Sequence, residues 1–335
     1  MNITDKLGRP MRDLRISVTD RCNFRCRYCM PKEIFGKDYT FMPKDNMLQF
    51  DEIERLASIF VELGVKKLRI TGGEPLLRRN LSKLIAHVSA IDGLEDIGLT
   101  TNGVLLEKLA DQLVAAGLKR VNVSLDALNN DTFQAINDSG IATNQILKGI
   151  EKASLAGLLV KVNMVVKKGM NEQEILPMAA FFKEKGITLR FIEFMDVGTS
   201  NKWDLSKVVT KKEIIDTLSH SFSLEPIKSS YLGEVAQRYY YKGTNTEVGF
   251  ITSVSESFCS TCTRARIAAD GKLYTCLFAS DGIDLKQMIR SGLSNKEIQI
   301  AIKEIWHNRQ DRYSDERIGT SNLKKKRIEM SYIGG

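Results

Sequence analysis

One rhythm constrains the fold of this chain more than anything else in it. Six short stretches that alternate apolar and polar residues recur between helix-patterned segments: LRISVT (14 to 19), KKLRIT (66 to 71), DIGLTT (96 to 101), RVNVSLD (120 to 126), VKVNMVV (160 to 166) and TLRFIEFM (188 to 195). Period-2 alternation is the mark of a strand. The intervening residues 51 to 63 and 103 to 116 have helical periodicity and end at Gly64 and Gly117, where a left-handed C-cap residue belongs. Strands alternating with helices predict an α/β fold with a parallel sheet.

The parity of the strands says more. Leu14, Ile16 and Val18 alternate with Arg15, Ser17 and Thr19; Leu68 and Ile70 with Lys67, Arg69 and Thr71; Val121, Val123 and Leu125 with Asn122, Ser124 and Asp126. Parallel strands beneath helices are usually apolar on both faces, and a filled eight-stranded barrel packs its interior with Val, Ile and Leu. A polar face instead predicts an incomplete barrel of about six β/α units around a ligand cavity. Unpaired buried Arg and Lys cost several kcal/mol each, so Arg15, Lys67, Arg69, Lys161 and Arg190 predict an anion inside. Strand ends reaching solvent would explain one or two of them, not all five.

Composition narrows the class. At 335 residues, 43% hydrophobic and 27% charged, the chain can bury a sizeable core, which excludes disorder and collagen-like order. Charges begin at Asp5, and no stretch approaches the roughly 20 uncharged apolar residues of a membrane span. The expectation is a cytoplasmic protein with no membrane partner. Six cysteines without any sign of secretion are read as reduced and metal-binding. A net charge of +8, spread along the chain, favours an anionic partner. Only three histidines argue against a zinc hydrolase built on several of them. After about residue 200 the rhythm changes: 236 to 241, 247 to 252 and RIAADGKLYTC read as antiparallel strands, with Asp270-Gly271 as a two-residue turn. This divides the chain into 1 to 200 and 201 to 335. The basic run at 321 to 327 is read as a solvated face or tail. Residues 31 to 50 and 221 to 245 carry no interpretable motif.

The cysteines fall into two triplets. Cys22, Cys26 and Cys29 follow the first strand, at the C-terminal strand end where barrel enzymes place their chemistry. Spacings of three and two residues let one loop present three thiolates to an iron–sulfur cube, which takes four ligands, leaving one iron open. Zinc would want a fourth Cys or His, and the loop has none. Cys259, Cys262 and Cys276 bracket the later hairpin. There, structural zinc and a second cluster are comparable readings. The count of three, the absence of His, and the adjacent Arg264 and Arg266 favour an open-iron cluster that binds substrate.

CNFRCRYC, followed one β/α unit later by TGGEP at 71 to 75, resembles the cluster loop and glycine-rich strand end of radical S-adenosylmethionine enzymes. FCSTCTRARIAADGKLYTCLF resembles the C-terminal cluster segment of one subgroup, the GTP 3',8-cyclases of molybdenum cofactor biosynthesis. The resemblance extends over nearly the whole chain through DLRISVTDRCNFRCRYCMP, RITGGEPL, LTTNG, VNVSLDAL, RFIEFMDVG, ITSVSESFCSTCTRARIAADG and SYIGG. It implies a radical S-adenosylmethionine type of barrel whose C-terminal extension carries a second 4Fe-4S cluster. S-adenosylmethionine would bind at Tyr28, Gly72, Gly73, Glu74, Ser124 and Met195. GTP would bind at Arg15, Lys67, Arg69, Thr100, Lys161, Arg190, Arg264, Ala265 and Arg266. Arg264, Arg266 and the tail glycines Gly334 and Gly335 would form the catalytic set, the tail entering the active site.

The resemblance further implies that a 5'-deoxyadenosyl radical takes the ribose 3' hydrogen of GTP, after which C3' attacks C8 of the guanine. The product, 3',8-cyclo-7,8-dihydro-GTP, would pass to cyclic pyranopterin monophosphate synthase. A flavodoxin- or ferredoxin-type electron donor and a homodimer are further expectations. A peptide-modifying two-cluster radical enzyme should lack the Thr-Arg-Ala-Arg segment and the Gly-Gly tail. A zinc-containing nucleic-acid-binding protein would fit the charge, but the aromatic content is only 7% and the cations sit in strands, so no nucleic-acid partner is expected.

Overall fold

The computed structural model of the chain describes residues 3–317 and 327–334; Gly335 and residues 321 to 326 of the basic run lie outside the described residues. All six expected strands form, each followed by helix: β1 (Asp13–Ser17), α1 (Phe50–Glu62), β2 (Lys67–Thr71), α2 (Leu81–Ser89), β3 (Asp96–Thr101), α3 (Leu106–Ala115), β4 (Arg120–Ser124), α4 (Asn130–Asn137), α5 (Thr143–Leu155), β5 (Leu159–Val166), α6 (Ile175–Glu184), β6 (Thr188–Glu193) and α7 (Lys211–Ser219). The remainder comprises β7 (Leu224–Ile227), β8 (Gln237–Tyr241), β9 (Glu247–Ile251), β10 (Arg264–Ile267), β11 (Lys272–Tyr274), β12 (Ile283–Asp284), α8 (Leu285–Arg290), α9 (Asn295–His307), α10 (Tyr313–Glu316) and α11 (Met330–Ile333).

Helix boundaries follow local chemistry. A reciprocal capping box between Gln49 and Glu52 starts α1, and Gly64 at φ 109° ends it. The helix α3 begins three residues later than its pattern, because Gly103 at φ 82° forms a turn that bonds Leu106 N–H to its carbonyl. The apolar strand faces, including Leu14, Ile16, Leu68, Ile70, Val121 and Val123, pack against Leu56 and Phe60 of α1, Leu84 and Val88 of α2 and Ile146 and Ile150 of α5 in one core. Each such side chain contributes roughly 1.5–3 kcal/mol on burial.

The C-terminal strands differ from their sequence expectation. All twelve strands form one sheet, ordered β12-β11-β10-β1-β2-β3-β4-β5-β6-β9-β8-β7. The strand β10 pairs parallel with β1, and β9 pairs parallel with β6; only the outer strands are antiparallel. The later segment thus extends the parallel sheet at both edges instead of forming a purely antiparallel extension. Edge strands otherwise present unpaired N–H and C=O groups, which explains the outcome. The β10–β11 connection is also not a two-residue Asp270-Gly271 turn. Gly271 N–H bonds Ala268 O at 2.9 Å, Ala268 N–H bonds Lys272 O at 2.9 Å, and Gly271 has φ +85°, which is a type I turn followed by a left-handed residue. No described helix is long and apolar enough to cross a membrane.

Candidate active site

Strand register turns the parity of the sequence into a charge arrangement. Arg15 lies opposite Arg266 on one side and Arg69 on the other, so three guanidiniums share one rung. Asn122 lies between Thr100 and Lys161, and Asn163 opposite Arg190. Adjacent strands are only about 4.8 Å apart, and like charges directly across them repel. Neighbouring cations Arg120 and Arg238 have carboxylate partners, Asp96 for the first and Glu234 and Glu247 for the second. Among the described residues, Arg15, Lys67, Arg69, Lys161, Arg190, Arg264 and Arg266 have none. Burial, followed by Arg266, Arg69 and Arg264, presses the Arg15 pKa well below its usual value. Guanidinium remains protonated in practice, so the direction measures how strongly an anion is wanted. The buried Thr100 Oγ1, Asn122 Nδ2, Asn163 Oδ1, Arg190 Nε and Arg264 Nε have no hydrogen-bond partner among the described residues. Such atoms are expected in a wall built for a polar ligand.

The unpaired cations, Thr100 and Asn163 line one cavity of about 360 Å³ together with all six cysteines, every one of them unbridged, while Asn122 is fully buried and does not line it. In the first loop, Cys29 N–H and Met30 N–H bond Cys26 O at 2.9 and 2.8 Å, and Arg25 Nη1 donates to Cys22 O at 2.8 Å. Phe24 N–H reaches Cys22 Sγ at 3.4 Å. Burial pushes Cys22 up to about 11 and Cys29 up to about 12, and holds Cys26 well above its usual value. In the second loop burial again raises Cys276, to about 12; at Cys262 burial is outweighed by Arg264 and Arg309, which bring it down to about 6. Among the described residues, no three Cys, His, Asp or Glu side chains gather in the arrangement of a single-ion site. The donor set, three thiols per loop on a cavity wall, is the soft, all-sulfur set an iron–sulfur cluster takes, so the residues fit that group.

Of the residues expected at S-adenosylmethionine, Tyr28, Gly72, Gly73, Ser124 and Met195 line the cavity, whereas Glu74 does not. Glu74 is 1% exposed and turned into the protein, accepting from Leu76 N–H at 3.0 Å, Thr101 Oγ1 at 2.7 Å and Asn102 N–H at 2.7 Å. It ties the end of β2 to the end of β3. The two glycines also serve the chain itself. A Cβ at Gly72 would sit 2.6 Å from Thr19 O and one at Gly73 2.3 Å from Arg21 O, so TGGEP can lie directly on the base of the cysteine loop only without side chains there. Tyr28 OH donates to Asp126 Oδ2 at 2.6 Å, and Asp126 Oδ1 accepts Val165 N–H at 2.9 Å.

Of the residues expected at GTP, Arg15, Lys67, Arg69, Thr100, Lys161, Arg190, Arg264 and Arg266 line the cavity, and Ala265 does not. Ala265 is fully buried in the core cluster, the face its place between two inward arginines dictates. Arg266 Nη1 donates to Gly334 O at 2.7 Å, and a Cβ on Gly334, φ +77°, would meet Thr71 Cγ2 at 2.3 Å. Residue-level reading missed Asp126, Asn102, Asn163, Arg309 and Tyr231, all on the cavity wall. Asp126 could have been found, since it continues the inward parity of Asn122 and Ser124. Tyr231 could not: it comes from the uninterpreted 221 to 245 region and sets its ring 3.2 Å from Lys67 Nζ.

Fold and site together define a radical S-adenosylmethionine enzyme. The family described as "Radical SAM superfamily" matches residues 16–182, and "Molybdenum Cofactor Synthesis C" matches residues 187–315. Relatives named GTP 3',8-cyclase are 58% identical in Staphylococcus haemolyticus and 56% identical in Staphylococcus carnosus, each over 336 residues covering 99% of both chains. The chain belongs to the GTP 3',8-cyclase family. Among solved structures, Streptococcus suis SuiB bound to S-adenosylmethionine superposes with a TM-score of 0.62 at 15% identity, covering 95% of this chain and 71% of that one. Methylornithine synthase gives 0.51 at 15% identity, covering 63% and 62%. At these identities the likeness concerns the fold.

Proposed function

We infer that the chain is a lyase converting GTP to 3',8-cyclo-7,8-dihydro-GTP, the first step of molybdenum cofactor biosynthesis. One observation carries this: seven cations that have no carboxylate partner among the described residues share a single cavity with two cysteine triplets. S-adenosylmethionine bound at an iron–sulfur cluster supplies the one-electron chemistry that removes the ribose 3' hydrogen. Cys22, Cys26 and Cys29 would hold that cluster. Tyr28, fixed through its hydroxyl to Asp126, stands with Gly72, Gly73, Ser124 and Met195 as the wall for S-adenosylmethionine.

The triphosphate belongs among Arg15, Arg69, Lys161 and Arg190, with Lys67 and Thr100 beside them. Joining C3' to C8 within one nucleotide requires a fixed conformation, and many charge-assisted contacts at one end provide it. Cys259, Cys262 and Cys276 would hold a second 4Fe-4S cluster at the guanine end. There Arg264 and Arg266 act on the reacting nucleotide, and the Gly334 carbonyl keeps the Arg266 guanidinium aimed. Arg264 and Arg266 of β10 and Arg238 and Ile251 of β8 and β9, from opposite halves of the sheet order, line one cavity, which supports reading the sheet as an incomplete barrel. The segment up to 200 would be the S-adenosylmethionine part and 201 to 335 the substrate part. A cytoplasmic homodimer fed by a flavodoxin- or ferredoxin-type donor, delivering its product to cyclic pyranopterin monophosphate synthase, completes the reading.

The test is 5'-deoxyadenosine formation by anaerobically reconstituted, reduced protein with GTP, with ATP and without nucleotide. Formation should depend on GTP, and Arg266→Ala should lower it by roughly 100-fold or more, as expected for loss of an oriented donor at a reacting centre. Equal formation under all three conditions would remove GTP as the substrate.

A further inference from the structure

The second cysteine loop is gripped from a segment far away in sequence. Arg9 Nη1 donates to Cys259 O at 2.7 Å and Arg309 Nη1 donates to Cys262 O at 2.7 Å. Asp5 joins the two arginines: its Oδ2 lies 2.6 Å from Arg9 Nε and 3.3 Å from Arg309 Nη1, while its Oδ1 accepts Leu7 N–H and Arg9 N–H, both at 2.9 Å. The third cysteine is reached through Asp311. Its carbonyl accepts Arg9 Nη1 at 2.8 Å, and its Oδ2 accepts the hydroxyl of Thr275, the neighbour of Cys276, at 2.6 Å. Trp306 completes the mount. Its Nε1 donates to Arg9 O at 3.1 Å, and its ring lies 4.6 Å from the Arg309 guanidinium. The side chains of Asp5, Arg9 and Arg309 are at most 2% exposed.

Buried ion pairs bring little net stability, because desolvation offsets their attraction; what they impose is geometry. Here the geometry is that of the backbone carbonyls of Cys259 and Cys262 and of the Thr275 side chain beside Cys276. We propose that Asp5, Arg9 and Arg309 are positioning residues that preset Cys259, Cys262 and Cys276 to hold their cluster facing the nucleotide. This rests on the reading of the second triplet as a cluster site. Asp5 and Arg9 lie off the cavity wall and act through the loop, as supports outside a metal's own ligands do, whereas Arg309 also borders the cavity beside Cys262.

The experiment uses the full chain, reconstituted anaerobically. Iron is counted per chain, and the reduced protein is examined by EPR with and without GTP, for wild type, Arg309→Lys and Arg9→Gln. Lysine keeps the charge but replaces the planar guanidinium, whose Nη1 donates to both Cys262 O and Asp5 Oδ2, with a shorter, freely rotating ammonium. The expected result is that wild type takes up two cubes of about four irons each and both variants lose roughly half. A variant that keeps its iron should show a second-cluster signal that no longer responds to GTP, with KM for GTP raised at least tenfold. Full iron, an unchanged spectrum and an unchanged GTP response in both variants would overturn the proposal alone. Wild type binding one cube overturns the two-cluster reading and the proposal with it. Should the variants not fold, hydrogen exchange of the cluster-free wild type decides: residues 259 to 262 must be protected like neighbouring β10, and fast exchange there counts against a preset loop.

Discussion

Lys161 shows what a crowd of cations does to one of its members. Burial, with Arg190 adding to it and Glu247 opposing, brings its pKa from the usual 10.5 down to about 8. In the folded protein without ligand the charged form is therefore disfavoured, and between about pH 8 and 10.5 the unfolded chain binds the extra proton, so this group's effect on stability improves as pH rises through that window. GTP reverses the preference, because phosphate favours the ammonium. Nucleotide binding should take up close to one proton above pH 8, and affinity should fall as pH rises from about 8 to 9.5, a range in which the triphosphate is already fully ionised. Calorimetry in buffers of different ionisation enthalpy would measure the uptake directly. In Lys161→Arg, which stays charged, the uptake and the pH slope should both vanish; a slope that persists would assign the titration elsewhere.

At the level of strands, glycines on β3 and β9 make room for long cations. A Cβ at Gly249 would lie 2.9 Å from Arg190 Cγ, close to the backbone end of that side chain, where rotation gives little relief. Gly249→Ala should displace the Arg190 guanidinium, which now donates to Asn122 Oδ1. The cost is about one charge-assisted hydrogen bond, a roughly tenfold weaker Kd for GTP. Iron content should remain that of wild type, and fluorescence titration with a GTP analogue would read the affinity. The same strands show where sequence is legible. Period-2 alternation located β1 to β6 within a residue or two and put Arg15, Lys67, Arg69, Lys161 and Arg190 on one face, because a side chain's face depends only on its neighbours along the strand. Parity says nothing of Glu74, whose expected place rests on the TGGEP resemblance: it lies beyond the last ladder residue, and three donors hold its carboxylate inside the protein. The alternation also could not foresee that β10 would join β1. That pairing matches Asp13 with Arg264, some 250 positions away, and no local pattern encodes a partner at such a distance.

At the level of the whole molecule, the cavity gathers charge from both ends of the chain. Arg15 is near the N-terminus, Arg264 and Arg266 enter with β10, and the register places Arg15 between Arg266 and Arg69. The core that holds this rung together is continuous from α1 to α9, so repulsion within the cavity is borne by the fold and not relieved by local opening. A polyanion that neutralises the cavity should consequently stabilise the whole protein, by RT ln(1 + [L]/Kd) for a ligand that binds only the native state. Inorganic tripolyphosphate, which has the charge of the GTP tail and neither ribose nor base, isolates this effect. At about 100 times its Kd it should add about 2.7 kcal/mol, visible as a rise in Tm of the cluster-free protein, and it should compete with GTP. The rise should shrink with added salt, which screens the exposed part of the attraction, and should be largely lost in the Arg15→Ala, Arg190→Ala double variant. If tripolyphosphate leaves Tm unchanged while GTP raises it, the affinity resides in the base and ribose, and the cations of the cavity answer to something other than the phosphates.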